Sequence, residues 1–485
     1  MGILTAILLI PIMGTALISV VPRRISYMVR PIAMLASGGC LIVTWSLLGD
    51  FSNTSGTLQF VEHIPWNPRL GTSYSVGIDG ISLPLILLAT LLCFIAILSS
   101  HKLNNQGKGY YALMLFLESA LLGVFVAQDW SLFYVFWELT LIPLFFLIDG
   151  WGGARKHQAA LNFVLYTMGG SVFMLVSLLL VFDSMPAHSF AMSDMLAAPK
   201  YIEHSTQVLI FLGFLIGFGV KIPLVPIHGW LSLAHVQAPS PVSILLSGIL
   251  LKMGAYGLIR AAVMLPGAVE ALQTVLMGIA LFGIIYGGLL AWRQSDLKAM
   301  IAYSSISHMG VVVLGIATLS VTGLTGAVAQ MVAHGLVAGT LFLLIGLLYN
   351  LTKTRDINDY SSLIKTMPRF AFFTVLAFIA AVGMPGTAGF IAELHIMIAG
   401  YDEWGLLIVV LSLGVLISAA YAIRTIIRLF SGPVREEMKA LPDLSRVDII
   451  AVSILCFWIV LLGVLPAPLL NMISASAKNI SLVFK

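Results

Sequence analysis

Between Gln207 and Trp230 the chain reads QVLIFLGFLIGFGVKIPLVPIHGW, a largely apolar stretch long enough to cross a bilayer, interrupted by one charge and two prolines. A lysine left inside such a run is costly, so Lys221 predicts a membrane span that carries a functional charge. Pro223 and Pro226 predict that the span is broken. Neither can donate to the carbonyl four residues earlier, which would free the oxygens of Gly219 and Ile222. A half-helix ending there turns its partially negative end toward the ammonium and favours its charged form, while burial opposes it. A carboxylate that moves near or away would then decide whether the lysine holds its proton.

The remainder of the chain has the same character. Of 485 residues, 59% are hydrophobic and 9% are charged, against roughly 45–50% and 25% in soluble domains. So few charges cannot cover a water-soluble fold of this length. The net charge of +4 does not signal nucleic-acid binding, because no Lys/Arg-rich run occurs and the basic residues lie scattered between apolar stretches. Cys40, Cys93 and Cys456 stand far apart in apolar segments, without metal-ligand spacing. No phosphate-cradling glycine loop is present, so the chain is expected to hold no cofactor and no metal of its own. The first apolar stretch, from Gly2 to Val21, lacks a basic leader and reads as a first span rather than a cleaved signal.

Apolar stretches near 20 residues start near residues 2, 29, 80, 111, 130, 161, 207, 241, 270, 300, 322, 370, 404 and 447, about 14 in all. The fold class expected is therefore an all-α polytopic membrane protein. Alternate connections, Pro22 to Arg30, His101 to Gly109, Trp151 to Gln158, Arg293 to Lys298, Asn350 to Arg369 and Arg424 to Arg446, carry about 18 of the 25 Lys and Arg. That bias places them on the inner side and both termini on the outer, periplasm-like side. Two five-span sets, beginning near Tyr111 and Glu270, each have a broken fourth member, at 221–226 and 383–389. An odd number of spans per set makes the two inverted repeats. The expected division is 1–110, a three-helix segment; 111–262 and 263–430, the two repeats; and 431–485, a C-terminal helix and tail.

Five ionisable residues remain inside spans: Glu118, Glu138, Lys221, Lys252 and Glu393. Such residues usually face a bundle interior and mark ion pathways; the alternative is a scaffold in which they only tie helices together. Pro143 loosens the helix beside Glu138 by leaving the carbonyl of Leu139 without its donor. Lys252 has no charged neighbour within a turn, a setting in which a lysine exchanges its proton readily. Glu393 follows the break that contains Pro385 and could end a chain of carriers. His308 and His334, flanked by Ser, Gln and small residues, are candidate stepping stones. His228 and His235 are candidates for an inner entrance.

These motifs together resemble one family. Phe136-Trp137-Glu138 with Pro143, Lys221-Ile-Pro-Leu-Val-Pro-Ile-His-Gly-Trp230, Leu-Leu-Lys252-Met-Gly, Ser-Ser-Ile-Ser-His308-Met-Gly and Gly-Met-Pro-Gly-Thr-Ala-Gly-Phe-Ile-Ala-Glu393 are similar to those of the antiporter-like membrane subunits of respiratory complex I. The likeness covers nearly the whole chain. A glutamate at position 393, where L-type and N-type relatives carry lysine, points to the M-type (mitochondrial subunit 4-like) branch. The same position argues against a multisubunit Na+/H+ antiporter, whose chains also usually have lysine there. The resemblance implies proton translocation through half-channels, input in 111–262 and output in 263–430. Glu138 would modulate Lys221, Lys252 would be the central carrier and Glu393 the exit. It also implies L-type and N-type neighbours, a peripheral redox arm holding flavin and iron–sulfur clusters, quinone chemistry elsewhere in the complex, and a bacterial inner or thylakoid-like membrane. One departure stands out: relatives read Pro-Asp-Ala-His where this chain has Ser232-Leu233-Ala234-His235, so an acid is missing near the expected entrance.

Overall fold

The computed structural model describes residues 2–102 and 107–484. Its longer helices are α1 (Ile3–Val20), α2 (Val29–Asp50), α3 (Ser82–Ser99), α4 (Lys108–Val126), α5 (Trp130–Trp151) and α6 (Lys156–Ser184). Next come α7 (His204–Lys221), α8 (Trp230–Gln237), α9 (Ser240–Met264), α10 (Gln273–Arg293), α11 (Leu297–Ala317) and α12 (Val321–Thr352). The last are α13 (Pro368–Ala381), α14 (Ala388–Trp404), α15 (Val409–Phe430), α16 (Arg446–Val464) and α17 (Ala467–Ser481). Among the described residues 13 helices are long and apolar enough to span a membrane. The half-helices α13 and α14 together supply one further crossing, in agreement with the sequence reading. Of the expected inner connection His101 to Gly109, residues 103–106 lie outside the described residues.

Each five-crossing set, α4 to α9 and α10 to α15, has its break in the fourth crossing, at 222–229 and 382–387. The first break closes on itself more tightly than the prolines alone suggest. Leu224 N–H donates to the Gly219 carbonyl at 2.8 Å, and the Trp230 indole donates to the Val220 carbonyl at 2.8 Å. The expectation that the Gly219 oxygen is left free is thus corrected: with Pro223 unable to donate, the next available N–H takes it.

Sequence reading assigned no element to the connection between α2 and α3, and a two-stranded antiparallel hairpin forms there, β1 (Gln59–Asn67) with β2 (Thr72–Ile78). Glu62 on β1 accepts from the N–H groups of Leu4 and Thr5 at 2.8 and 3.2 Å, and so supplies a carboxylate to the N-terminus of α1. The far end of α17 lies on the same face, where Gly56 approaches Asn479. At the other ends of the helices the basic connections meet one another, Arg355 pairing with Asp296 at 3.1 Å, Arg435 donating to the Asn358 carbonyl and the Arg369 N–H to Asp443.

The centre of the molecule is built on α9 and α12, whose apolar windows are 100% buried, whereas those of α1 and α2 are 33% and 28% buried. Small residues set that crossing. A Cβ on Gly335 of α12 would come within 2.9 Å of the Gly248 carbonyl of α9, so only glycine admits so close a backbone approach.

Candidate functional site

A run of polar side chains passes through this central crossing. Leu246–Leu250 of α9 form a π-turn, a local over-widening that changes which carbonyls are taken within the helix. The Lys252 ammonium, fully buried, donates to the Ser247 carbonyl at 2.5 Å and lies 2.8 Å from His334 Nδ1 on α12. His334 Nε2 lies 3.2 Å from the Ser305 hydroxyl of α11, which is 3.1 Å from the Ser247 hydroxyl. The His308 ring stands 5.3 Å from that of His334, and His308 Nδ1 lies 3.7 Å from Glu393 Oε1. Gln330 donates to the same carboxylate oxygen at 3.3 Å. His308, His334 and Glu393 share a cavity of about 10 Å³, about the room one water occupies. Helices α9, α11, α12 and α14 therefore bring Lys252, His334, His308 and Glu393 into one row of neighbouring polar side chains, with gaps on either side of His308.

The break at 382–387 positions the last member. Gly383 has φ +74°, a conformation glycine adopts without steric cost. The Glu393 carboxylate folds back against it, so that a Cβ at Gly383 would fall 2.6 Å from Glu393 Oε2. Pro385 lies within this break and Pro143 within α5, whose helical hydrogen bonding is interrupted at Thr140.

Lys221 ends α7 with no exposed surface. Its ammonium donates to the Trp137 carbonyl at 3.4 Å and to the Thr140 hydroxyl at 3.3 Å, and it sits 3.8 Å above the Trp137 ring. A desolvated cation on an aromatic face gains about 0.5–2 kcal/mol. The stretch of α5 just before Pro143 thus gives the lysine its partners, the Trp137 carbonyl and the Thr140 hydroxyl. No ion pair within 4.0 Å joins Glu138 to Lys221 among the described residues. Glu138 instead lines a surface crevice of about 540 Å³ with Tyr134, Ile142 and Phe145, and its buried Oε1 has no partner there.

His228, in the first break, packs edge-on against Tyr286 of α10 at 5.6 Å. His235 on α8 is fully buried and stacks on Phe342 at 4.9 Å. Glu118 does not join the line. It lies on α4 against α2, accepts from the Ser37 hydroxyl at 3.0 Å, and has an unpartnered Oε2 among the described residues. Sequence reasoning missed Trp137, Thr140, Ser305 and the π-turn as partners. It also counted Lys298 as an inner-loop residue, whereas Lys298 is buried at the start of α11 and donates to the Ala238 carbonyl at 2.5 Å.

Two family models cover most of the chain. The model described as NADH:quinone oxidoreductase/Mrp antiporter, TM, matches residues 127–418, and that of NADH-ubiquinone oxidoreductase chain 4, amino terminus, matches 25–126. The chain is 36% identical to the NADH-quinone oxidoreductase subunit M of Rickettsia typhi over 465 residues, 95% of this chain and 94% of that one. It is 39% identical to an NAD(P)H-quinone oxidoreductase chain 4 of Thermosynechococcus vestitus over 468 residues, covering 93% and 87%. A chain of respiratory complex I from Thermus thermophilus superposes with a TM-score of 0.90 at 29% identity, over 99% of this chain and 100% of that chain.

Proposed function

Because the chain belongs to the M-type, chain 4 branch of the antiporter-like membrane subunits of complex I, we propose that it moves protons across the membrane along the line Lys252–His334–His308–Glu393. The contact that carries this reading is the buried one between the Lys252 ammonium and His334 Nδ1, 2.8 Å. Lys252 gives its proton to His334 Nδ1; His334 releases one from Nε2 by way of Ser305 or the water-sized cavity; His308 passes it to Glu393, and Glu393 releases it outward. Each imidazole suits this role because it can take a proton on one nitrogen and lose one from the other. Lys221 is the adjustable charge beside the line. When protonated on the Trp137 carbonyl and Thr140 hydroxyl it repels the proton on Lys252, and displacement of the Glu138 carboxylate changes how firmly it stays charged.

In this reading 111–262 provides the input half-channel and 263–430 the output half-channel, and no electron passes through the chain itself. Flavin, iron–sulfur clusters and quinone sit in partner subunits, L-type and N-type chains lie alongside, and both termini face the outer side of a bacterial-type membrane. The glutamate at 393 favours this assignment over a Na+/H+ antiporter chain. Proton uptake per electron in vesicles containing the complex tests it. Lys252→Met and Glu138→Gln should both assemble and both lower that ratio. An unchanged ratio in assembled Lys252→Met would instead make the buried charges a scaffold.

A further inference from the structure

The missing acid at Leu233 leaves the line without an evident source of protons, and the basic-face end of α11 offers another. We infer that Lys298 takes up protons at that face and feeds Lys252 through His235, a role that rests on the translocation reading above.

Lys298 lies directly beneath a surface ion pair. Asp296 caps α11 through the N–H groups of Lys298 and Ala299, and its other oxygen lies 3.1 Å from Arg355 Nε, with these side chains 30% and 24% exposed. Lys298 itself is 4% exposed, and its ammonium reaches inward to the Ala238 carbonyl at the end of α8. One turn earlier on α8 stands His235. It is the more telling residue, because neither ring nitrogen has a partner among the described residues although the side chain has no exposed surface. An unsatisfied buried polar group is costly, and ordered water is the usual remedy. The stacking on Phe342 holds the ring by its face and leaves both nitrogens at its edge to meet such water. The residue also meets the two helices that carry Lys252 and His334: its carbonyl accepts from the Ser243 hydroxyl of α9 at 3.1 Å, and its ring lies on Phe342 of α12.

The proposed route from the basic face inward runs from Asp296–Arg355 to Lys298, His235, Lys252 and His334. In the transfer the Lys298 ammonium loses one proton through water to a nitrogen of His235, and the imidazolium gives one from its other nitrogen to the neutral amine of Lys252. Lys298 is then reprotonated from the inner solution. One proton moves and no electrons do: Lys298 ends protonated again, His235 ends neutral as its other tautomer, and Lys252, left neutral by its transfer to His334, becomes an ammonium.

The rival role for Lys298 is a tether that pins α11 to α8, and Lys298→Arg separates the two. Arginine keeps the charge and can donate to Ala238, but it does not release its proton. In the purified complex reconstituted in vesicles, both Lys298→Met and Lys298→Arg should assemble, lower coupled turnover by about tenfold and lower proton uptake per electron. Wild-type behaviour of Lys298→Arg would make the lysine a tether, and so would failure of both variants to assemble. Lys252→Met, measured in parallel, keeps the two ideas apart. If it pumps normally the translocation reading falls. If it fails while both Lys298 variants pump normally, only the entrance is wrong.

Discussion

Glu118 and Arg260 show two ways in which this chain holds a charged side chain away from water. Arg260 of α9 lies 2.8 Å from Asp79, whose other oxygen accepts from the N–H groups of Ile81 and Ser82, and it covers the Tyr256 ring. The guanidinium and two backbone donors compensate the Asp79 carboxylate, as a permanent buried charge requires, while Arg260 Nε has no hydrogen-bond partner among the described residues. Glu118 has a serine hydroxyl and, among the described residues, no cation partner, and it sits between α2 and α4, apart from the line through α9 and α12. Sequence alone ranked it with the other intramembrane acids because the cost of burial is the same wherever the helix faces. Glu118→Gln keeps the size of the side chain and the contact with Ser37, so proton uptake per electron should match wild type. A fall as large as that of Glu138→Gln would place Glu118 on the route after all.

Helix breaks are the elements most legible in this sequence, because proline and glycine act through local backbone chemistry. Both breaks fall where the prolines of 223–226 and the glycines of 383–389 put them. The π-turn at Leu246–Leu250 had no such mark: five small or apolar residues without proline give no local reason to leave the α-helix. It is tied instead to tertiary context, the Lys252 contact with the Ser247 carbonyl and the close crossing with α12. The second break carries a prediction. Gly383→Ala adds a methyl at φ +74°, costing about 1–2 kcal/mol, and places it against the Glu393 carboxylate. The outcome expected is an assembled complex with lower proton uptake per electron, since Glu393 must move away from its contacts with His308 and Gln330. Normal uptake would mean that the position of this carboxylate is not critical.

The distribution of charge over the whole chain makes its orientation testable. The hairpin, the start of α1 and the end of α17 lie together, and connections rich in Lys and Arg meet one another at the other helix ends. Cys40, Cys93 and Cys456 are all buried, so a membrane-impermeant thiol reagent should meet little background. Added to intact cells, it should label Lys478→Cys and spare Lys439→Cys until the membrane is opened; the reverse pattern would invert the assignment of faces. The number of spans and the two breaks were readable along the chain, and so were Glu118, Lys221, Lys252 and Glu393 among its buried charges, whereas buried Lys298 and Asp79 were not picked out. Hydropathy, proline chemistry and the bias of basic residues each depend on a residue and its near neighbours. The folded molecule alone decided which charges meet. Lys252 and His334 are 82 residues apart, and they touch because Gly248 and Gly335 let two backbones cross closely. The same packing drew Lys298 inward, set Lys221 on Trp137 and Thr140, and left Glu118 aside. Contacts between helices depend on rotation and depth at each crossing, and a one-dimensional pattern of apolar residues carries neither.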